Sequence, residues 1–226
     1  MSVLAIAHRG DPVAERENTL PAFAAAVAAG AEMIELDVRL TSDGGVVVVH
    51  DPTLDRIWGV ARRVGDMTAG EVRALGIPDF AEALAAIPED VQVMVDYEER
   101  RVAEPALAAV LEADALDRCL FSGGCFDGHR AIRAAAPAAR IAVTWTSDEP
   151  CPNALLDELG AEYWNPSGNV AARHRDQVER MHARGTGVSV WTIDRRADMQ
   201  VFLDLGVDAV ITNRIGDLVD LLERVC

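Results

Sequence analysis

The chain has 226 residues, half of them hydrophobic and 26% charged, which is enough apolar material for a sizeable core and excludes disorder as the main state. The formal net charge is −16. A field of that sign repels phosphate backbones and anionic membrane surfaces, so no nucleic-acid partner is expected. All 21 residues counted as Lys or Arg are Arg, which excludes Schiff-base, pyridoxal-phosphate and P-loop lysine chemistry.

In chain order, short apolar strands alternate with amphipathic or alanine-rich helices. Strands are predicted over 3–8, 32–38, 91–97, 118–122, 140–144, 161–165, 187–192 and 207–212. Helices are predicted over about 19–29, 79–87, 101–113, 127–136, 153–159, 171–184, 196–205 and 214–225. Continuous apolar strands joined by helices imply a parallel sheet covered on its faces. Eight such units in one chain fit an α/β fold closed as a (β/α)8 TIM barrel, a single domain over 1–226. The rival, a doubly wound open sheet, calls for a Gly-rich first turn opening a helix, and His8-Arg9-Gly10-Asp11-Pro12 is not one.

One segment breaks the repeat. Asp43-Gly44 between two apolar runs predicts a two-residue hairpin. That register sets Ser42 opposite Gly45 and, counting outward, His50 opposite Asp37 on the same face. Residues 51–78 then form an insertion with one short helix, opened by the capping box Thr68-Ala69-Gly70-Glu71. The N-terminus lacks a basic region and a long enough apolar run for a signal peptide. No segment reaches the roughly 18 apolar residues of a membrane span, so a cytoplasmic protein without a transmembrane segment is expected. Cys119, Cys125, Cys151 and Cys226 form no C-x-x-C pair and read as free thiols.

In a barrel, chemistry collects at the C-terminal strand ends. Those ends carry His8 and Arg9, Glu35 and Asp37, Asp96 and Glu98, and later Ser122, Thr144, Asn165, Trp191 and Asn213. Glu35 and Asp37 are two apart on a strand and point to one side, where they repel each other unless a cation lies between them. Asp96 supplies a third carboxylate, and an oxygen-only set favours Mg²⁺ or Ca²⁺ over Zn²⁺. The bland alternative is a polar rim open to water. His8 and His50, arriving by separate routes, can serve as a general acid and a general base. Arg9 offers a fork for a phosphate or a carboxylate. His129, His174 and His182 fall on predicted helices and read as surface or packing residues.

His8-Arg9-Gly10, Glu17-Asn18-Thr19-Leu20-x-Ala22-Phe23, Glu35-x-Asp37-Val38, Thr41-x-Asp43-Gly44, His50-Asp51-x-x-Leu54-x-Arg56, Val190-Trp191-Thr192 and the run from Gly206 to Asn213 together resemble the glycerophosphodiester phosphodiesterase family. The resemblance covers nearly the whole chain. It implies a TIM barrel that hydrolyses glycerol-linked phosphodiesters to glycerol phosphate and an alcohol with a divalent cation, a small molecule being its partner. By that likeness His8 and His50 are the acid/base pair, and Glu35, Asp37 and Asp96 hold the metal. Arg9, Glu17, Asn18 and Trp191 meet the substrate.

Two positions depart from the family pattern. Asn213 stands where the family has Asp, and Asp96-Tyr97-Glu98 stands where it has Glu-x-Lys. Glu98 puts an anion where a cation is expected beside the phosphate. On that basis replacing it by Lys or Gln should raise activity, unless it recognises a cationic head group. Two further readings stay open. One is a head-group phosphodiesterase acting on lysophospholipids or sphingolipids, which needs an apolar cleft such as Trp145, Trp164 and Trp191 could line. The other is a phosphodiester-binding barrel without turnover.

Overall fold

A computed structural model describes residues 3–224; Cys226 and the last position of the predicted C-terminal helix lie outside them. Its strands are β1 (Leu4–His8), β2 (Met33–Leu40), β3 (Val46–Val48), β4 (Thr53–Leu54), β5 (Val60–Arg63), β6 (Gln92–Asp96), β7 (Cys119–Ser122), β8 (Arg140–Trp145), β9 (Tyr163–Pro166), β10 (Gly187–Val190) and β11 (Ala209–Thr212). Eight of them, β1, β2 and β6 to β11, run parallel, each beside its neighbour in chain order. Pairing of β1 with β11, Leu4 beside Ala209 through Ala7 beside Thr212, closes the barrel. The chain is a TIM barrel, and every barrel strand lies within three residues of its expected bounds.

The period of two along each strand builds two layers. Ile6, Met33, Met94, Leu120, Ala142, Ala209 and Ile211 fill the barrel interior. Ala7, Ile34, Leu36, Val93, Val95, Phe121, Val143, Trp164, Val188 and Val210 face outward, into the larger core beneath the helices. Continuing the inward set toward the C-terminal end of each strand gives polar side chains, so the same alternation that packs the barrel also aims the site.

The hairpin above the mouth differs from its expected register by one residue. Val38 pairs with Val48 and Leu40 with Val46, and the Val49 N–H donates to the Asp37 carbonyl at 2.9 Å. Val49, not His50, therefore faces Asp37. The loop is three residues long, with Gly44 in the left-handed region at φ +85°, the conformation that lets a type I turn close a hairpin with a bulge. A one-residue slip exchanges faces, and Val47 and Val49 accordingly join Leu54, Val64, Met67, Val72 and Ile77 in a separate small core under the insertion.

The insertion holds more than the one expected helix. β4 and β5 form a two-stranded ribbon around the four-residue helix Asp55–Trp58, and the helix Ala69–Arg73 follows with both halves of the Thr68/Glu71 capping box formed. The predicted helix over 171–184 is two helices, Gly168–Arg173 and Asp176–Ala183. Ser167 opens the first by accepting from the Val170 N–H, and no Gly or Pro marks the break between them. Cys119, Cys125 and Cys151 are free thiols. Among the described residues no helix is long and apolar enough to cross a membrane.

Candidate active site

The inward strand ends and the hairpin enclose a cavity of about 430 Å³ at the barrel mouth, within the usual size of a small-molecule site. His8, Arg9, Glu35, Asp37, His50, Asp96, Glu98 and Trp191 line it, over a floor that includes Met94 and Ile211. The structure thus brings together both histidines, all three expected metal ligands, Arg9 and Trp191. His50 reaches the cavity from just beyond the hairpin strand.

The loop after β1 is held tightly. Gly10 has φ +82°, and a Cβ there would come within 2.6 Å of the Ala22 carbonyl carbon, so only glycine fits. Arg9 (φ +61°) and Asn18 (φ +57°) occupy the left-handed region without being glycine, a strain of order 1–3 kcal/mol each. Hydrogen bonds sustain it. The Arg9 N–H donates to the Glu35 carbonyl at 2.8 Å and the Asn18 N–H donates to the Arg9 carbonyl at 3.0 Å.

Glu35, Asp37 and Asp96 are crowded. Asp37 and Asp96 are direct register partners on β2 and β6, about 4.8 Å apart by strand spacing. Burial, then the charges of Asp37 and Asp96, push Glu35 well above the ordinary carboxylate range. Burial, then the charge of Asp37, push Asp96 up to about 7. One oxygen of each β2 carboxylate is already engaged. Glu35 Oε2 accepts from the Arg9 N–H at 3.0 Å and Asp37 Oδ2 accepts from Asn18 Nδ2 at 2.8 Å. Those two oxygens are committed to donors, and among the described residues no three His, Cys, Asp or Glu side chains, as they stand, are drawn close enough together to hold a metal ion.

Both histidines are anchored through Nδ1. His8 Nδ1 lies 2.7 Å from Asn213 Oδ1. Burial, then the charge of Arg9, lower the His8 pKa. His50 Nδ1 lies 2.7 Å from Asp51 Oδ1. Arg56, then His50, hold Asp51 down to about 2 by hydrogen bonding. Arg56 also donates to Glu17 at 2.7 Å, and Glu17 accepts from Arg9 Nη1 at 3.0 Å. A run of ion pairs therefore ties His50 to Arg9. Arg9 Nε is buried and ion-paired with Asp37 Oδ2 at 3.1 Å, without the alignment of a hydrogen bond.

Several expected contacts take other roles. Glu17 and Asn18 do not line the cavity; they fix Arg9 and Asp37 from behind. Of the three tryptophans only Trp191 lines it. Trp164 falls on an outward position of β9 and is buried in the outer core, and Trp145 stacks on Phe126 with centroids 6.2 Å apart. Glu98 is 63% exposed and accepts from Arg39 Nη2 at 3.0 Å. The sequence motifs assign no role to Arg39, Asp51 or Asp194. Arg39 lies two residues beyond Asp37 on the same strand face, a spacing that marks it. Asp51 adjoins His50, but nothing in the sequence ties Asp194 to His8.

A sequence profile of the Glycerophosphoryl diester phosphodiesterase family matches residues 8–217. The chain is 31% identical over 248 aligned positions to the glycerophosphodiester phosphodiesterase of Caldanaerobacter subterraneus subsp. tengcongensis, with 99% of each chain covered. The crystal structure of a glycerophosphodiester phosphodiesterase from Parabacteroides distasonis superposes with a TM-score of 0.87 at 21% identity, covering 99% of this chain and 98% of that one. An Oleispira antarctica phosphodiesterase in complex with the product sn-glycerol-3-phosphate superposes with the same TM-score, 0.87, at 21% identity, covering 98% and 97%. With a match that spans nearly every motif around the cavity, the chain belongs to the glycerophosphoryl diester phosphodiesterase family of phosphoric diester hydrolases.

Proposed function

We propose that this protein hydrolyses glycerophosphodiesters to glycerol phosphate and an alcohol, using His8 and His50 as the acid/base pair and a divalent cation held by Glu35, Asp37 and Asp96. The observation that carries the reading is the composition of one cavity. Two imidazoles tied through Nδ1, a half-buried arginine and three carboxylates share its wall.

The donor set fits a hard cation. Among the described residues Glu35 Oε1 and Asp37 Oδ1 accept no hydrogen bond, and the crowding that raises Glu35 and Asp96 is relieved by a positive charge between the carboxylates. Oxygen-only ligands suit Mg²⁺ or Ca²⁺. When bound, the cation neutralises the phosphodiester and polarises its oxygens. Arg9, which lines the cavity, stabilises charge that builds on the phosphoryl oxygens. One imidazole takes the proton of the attacking water or vicinal glycerol hydroxyl, and the other protonates the departing alcohol oxygen, which is too basic to leave as an alkoxide. Trp191, fixed by donation from its Nε1 to the Asn165 carbonyl at 3.0 Å, closes the opposite wall against the glycerol.

A panel of glycerophosphodiesters assayed with Mg²⁺, with Ca²⁺ and with EDTA tests the reading. Release of glycerol phosphate that EDTA abolishes and either cation restores is expected. Binding without hydrolysis under every condition would leave the barrel a phosphodiester receptor.

A further inference from the structure

Asp194 and Asn213 follow β10 and β11 and meet beside His8. Asp194 Oδ1 accepts from the Asn213 N–H at 2.8 Å and from Thr212 Oγ1 at 3.2 Å, and its Oδ2 accepts from Asn213 Nδ2 at 2.9 Å. The Thr212 hydroxyl oxygen itself accepts from the Arg214 N–H at 3.0 Å, which leaves its proton for Asp194. Asn213 Oδ1 then lies 2.7 Å from His8 Nδ1.

The order of donors and acceptors along this chain admits one solution. A carboxylate only accepts, so Asp194 draws the amide NH2 of Asn213 toward itself and turns the amide oxygen toward His8. An amide oxygen also only accepts, so His8 Nδ1 must carry a proton. Nε2 of the neutral ring is left bare on the cavity side, 3.9 Å from Glu35 Oε2. We propose that Asp194 and Asn213 are positioning residues that fix the tautomer of His8, with Asp194 acting through Asn213. The inference rests on the reading of His8 as an acid/base residue. It also accounts for Asn213 at a position where the family pattern has Asp: the carboxylate is displaced one residue outward along the hydrogen-bond chain, and the polarity at His8 is preserved.

Polarity, rather than bulk or contact, is what the test must change. Asp194→Asn is isosteric and can still accept from Thr212 and from the Asn213 N–H. Its new amide NH2, however, faces that of Asn213 and drives it to flip, so that His8 Nδ1 meets a donor and Nε2 takes the proton. The kcat is expected to fall by about 10²-fold, the scale of a misplaced acid/base proton, with KM changed by less than about threefold. The double swap Asp194→Asn/Asn213→Asp restores the order, because the amide at 194 donates to the carboxylate at 213 and that carboxylate accepts from His8 Nδ1. It is expected to recover kcat to within about fivefold of the parent.

¹⁵N imidazole shifts of histidine-labelled protein, with His8 assigned through His8→Gln, read the tautomer directly. The proton should be on Nδ1 in the parent and the double swap, and on Nε2 in Asp194→Asn. An unchanged tautomer in Asp194→Asn, or a slowed Asp194→Asn that the double swap does not recover, would overturn the proposal. A tautomer that moves as expected while kcat stays at the parent value would uphold the tautomer control and instead remove His8 from the chemistry.

Discussion

Glu98 is the residue whose surroundings change its meaning most. By the family resemblance it is an anion where a cation is expected beside a phosphate. In the structure it is bonded to Arg39, and Arg39 also donates to Glu99 at 3.2 Å and to the His50 carbonyl. A guanidinium 3.0 Å away offsets the repulsion that a free carboxylate would exert. Glu98→Lys therefore sets two cations against each other and is expected to lower Tm by about 2–4 °C, the equivalent of about 1 kcal/mol at a largely exposed pair, without raising kcat/KM. A Tm at or above the parent's, together with faster turnover, would restore the view of Glu98 as a handicap. Glu98→Gln on glycerophosphocholine and glycerophosphoglycerol separates the remaining role. A loss confined to the choline substrate marks recognition of a cationic alcohol. The histidines carry a simpler expectation: His8→Ala and His50→Ala should each cut turnover by about 10²–10⁴-fold with the circular dichroism spectrum and Tm nearly unchanged. A parallel loss of folding would assign them to the scaffold.

At the scale of elements, the ends of β6 and β7 are locked by a network the sequence does not advertise. His129 is fully buried. The Tyr97 hydroxyl donates to its Nδ1 at 2.6 Å, and its Nε2–H donates to the Gly123 carbonyl at 3.0 Å. Burial holds His129 down to about 4, so the ring stays neutral and satisfied on both nitrogens. A Cβ on Gly123 (φ +122°) would fall 2.1 Å from the Tyr97 carbonyl oxygen. Tyr97→Phe strands a buried acceptor and is expected to cost about 1–3 kcal/mol in urea unfolding, whereas a cost near zero would mean that water replaces the hydroxyl. The barrel strands were legible because each is a short apolar run with punctuation at both ends, and the inward polar residues because the period of two is rigid. The hairpin register was not, since two- and three-residue loops around Asp43-Gly44 differ only in whether Gly44 is a turn residue or the left-handed residue after it. Contacts between side chains distant in the chain, Asp194 with Asn213 and Glu98 with Arg39, leave no local pattern to read.

Across the whole molecule, the crowded carboxylates couple folding, pH and cation. Asp96, at about 7 in the fold against an ordinary value near 3.8, binds its proton more tightly folded than unfolded, and Glu35 is shifted the same way. A carboxyl raised by folding costs nothing when protonated in both states. It destabilises the fold progressively as pH climbs from the unfolded to the folded pKa, by about 1.4 kcal/mol per pH unit per group at most. His129 acts oppositely, its lowered pKa removing stability as pH falls from about 6.5 toward about 4, so Tm against pH for the metal-free protein mixes both. The difference in Tm with and without saturating Mg²⁺ or Ca²⁺ cancels His129, which contributes equally to each arm, and keeps the groups beside the cation: Asp96, Glu35 and His8, whose pKa is also lowered. Below about pH 7 a cation must displace the Asp96 proton; above it Asp96 is already ionised. The Tm gain from the cation should therefore grow between about pH 6 and about pH 8, and Asp96→Asn should reduce that growth while leaving the part that comes from Glu35. A cation effect equal at both pH values, or one whose growth is as large in Asp96→Asn as in the parent, would separate Asp96 from the metal and leave Glu35 and Asp37 to hold it without the third strand.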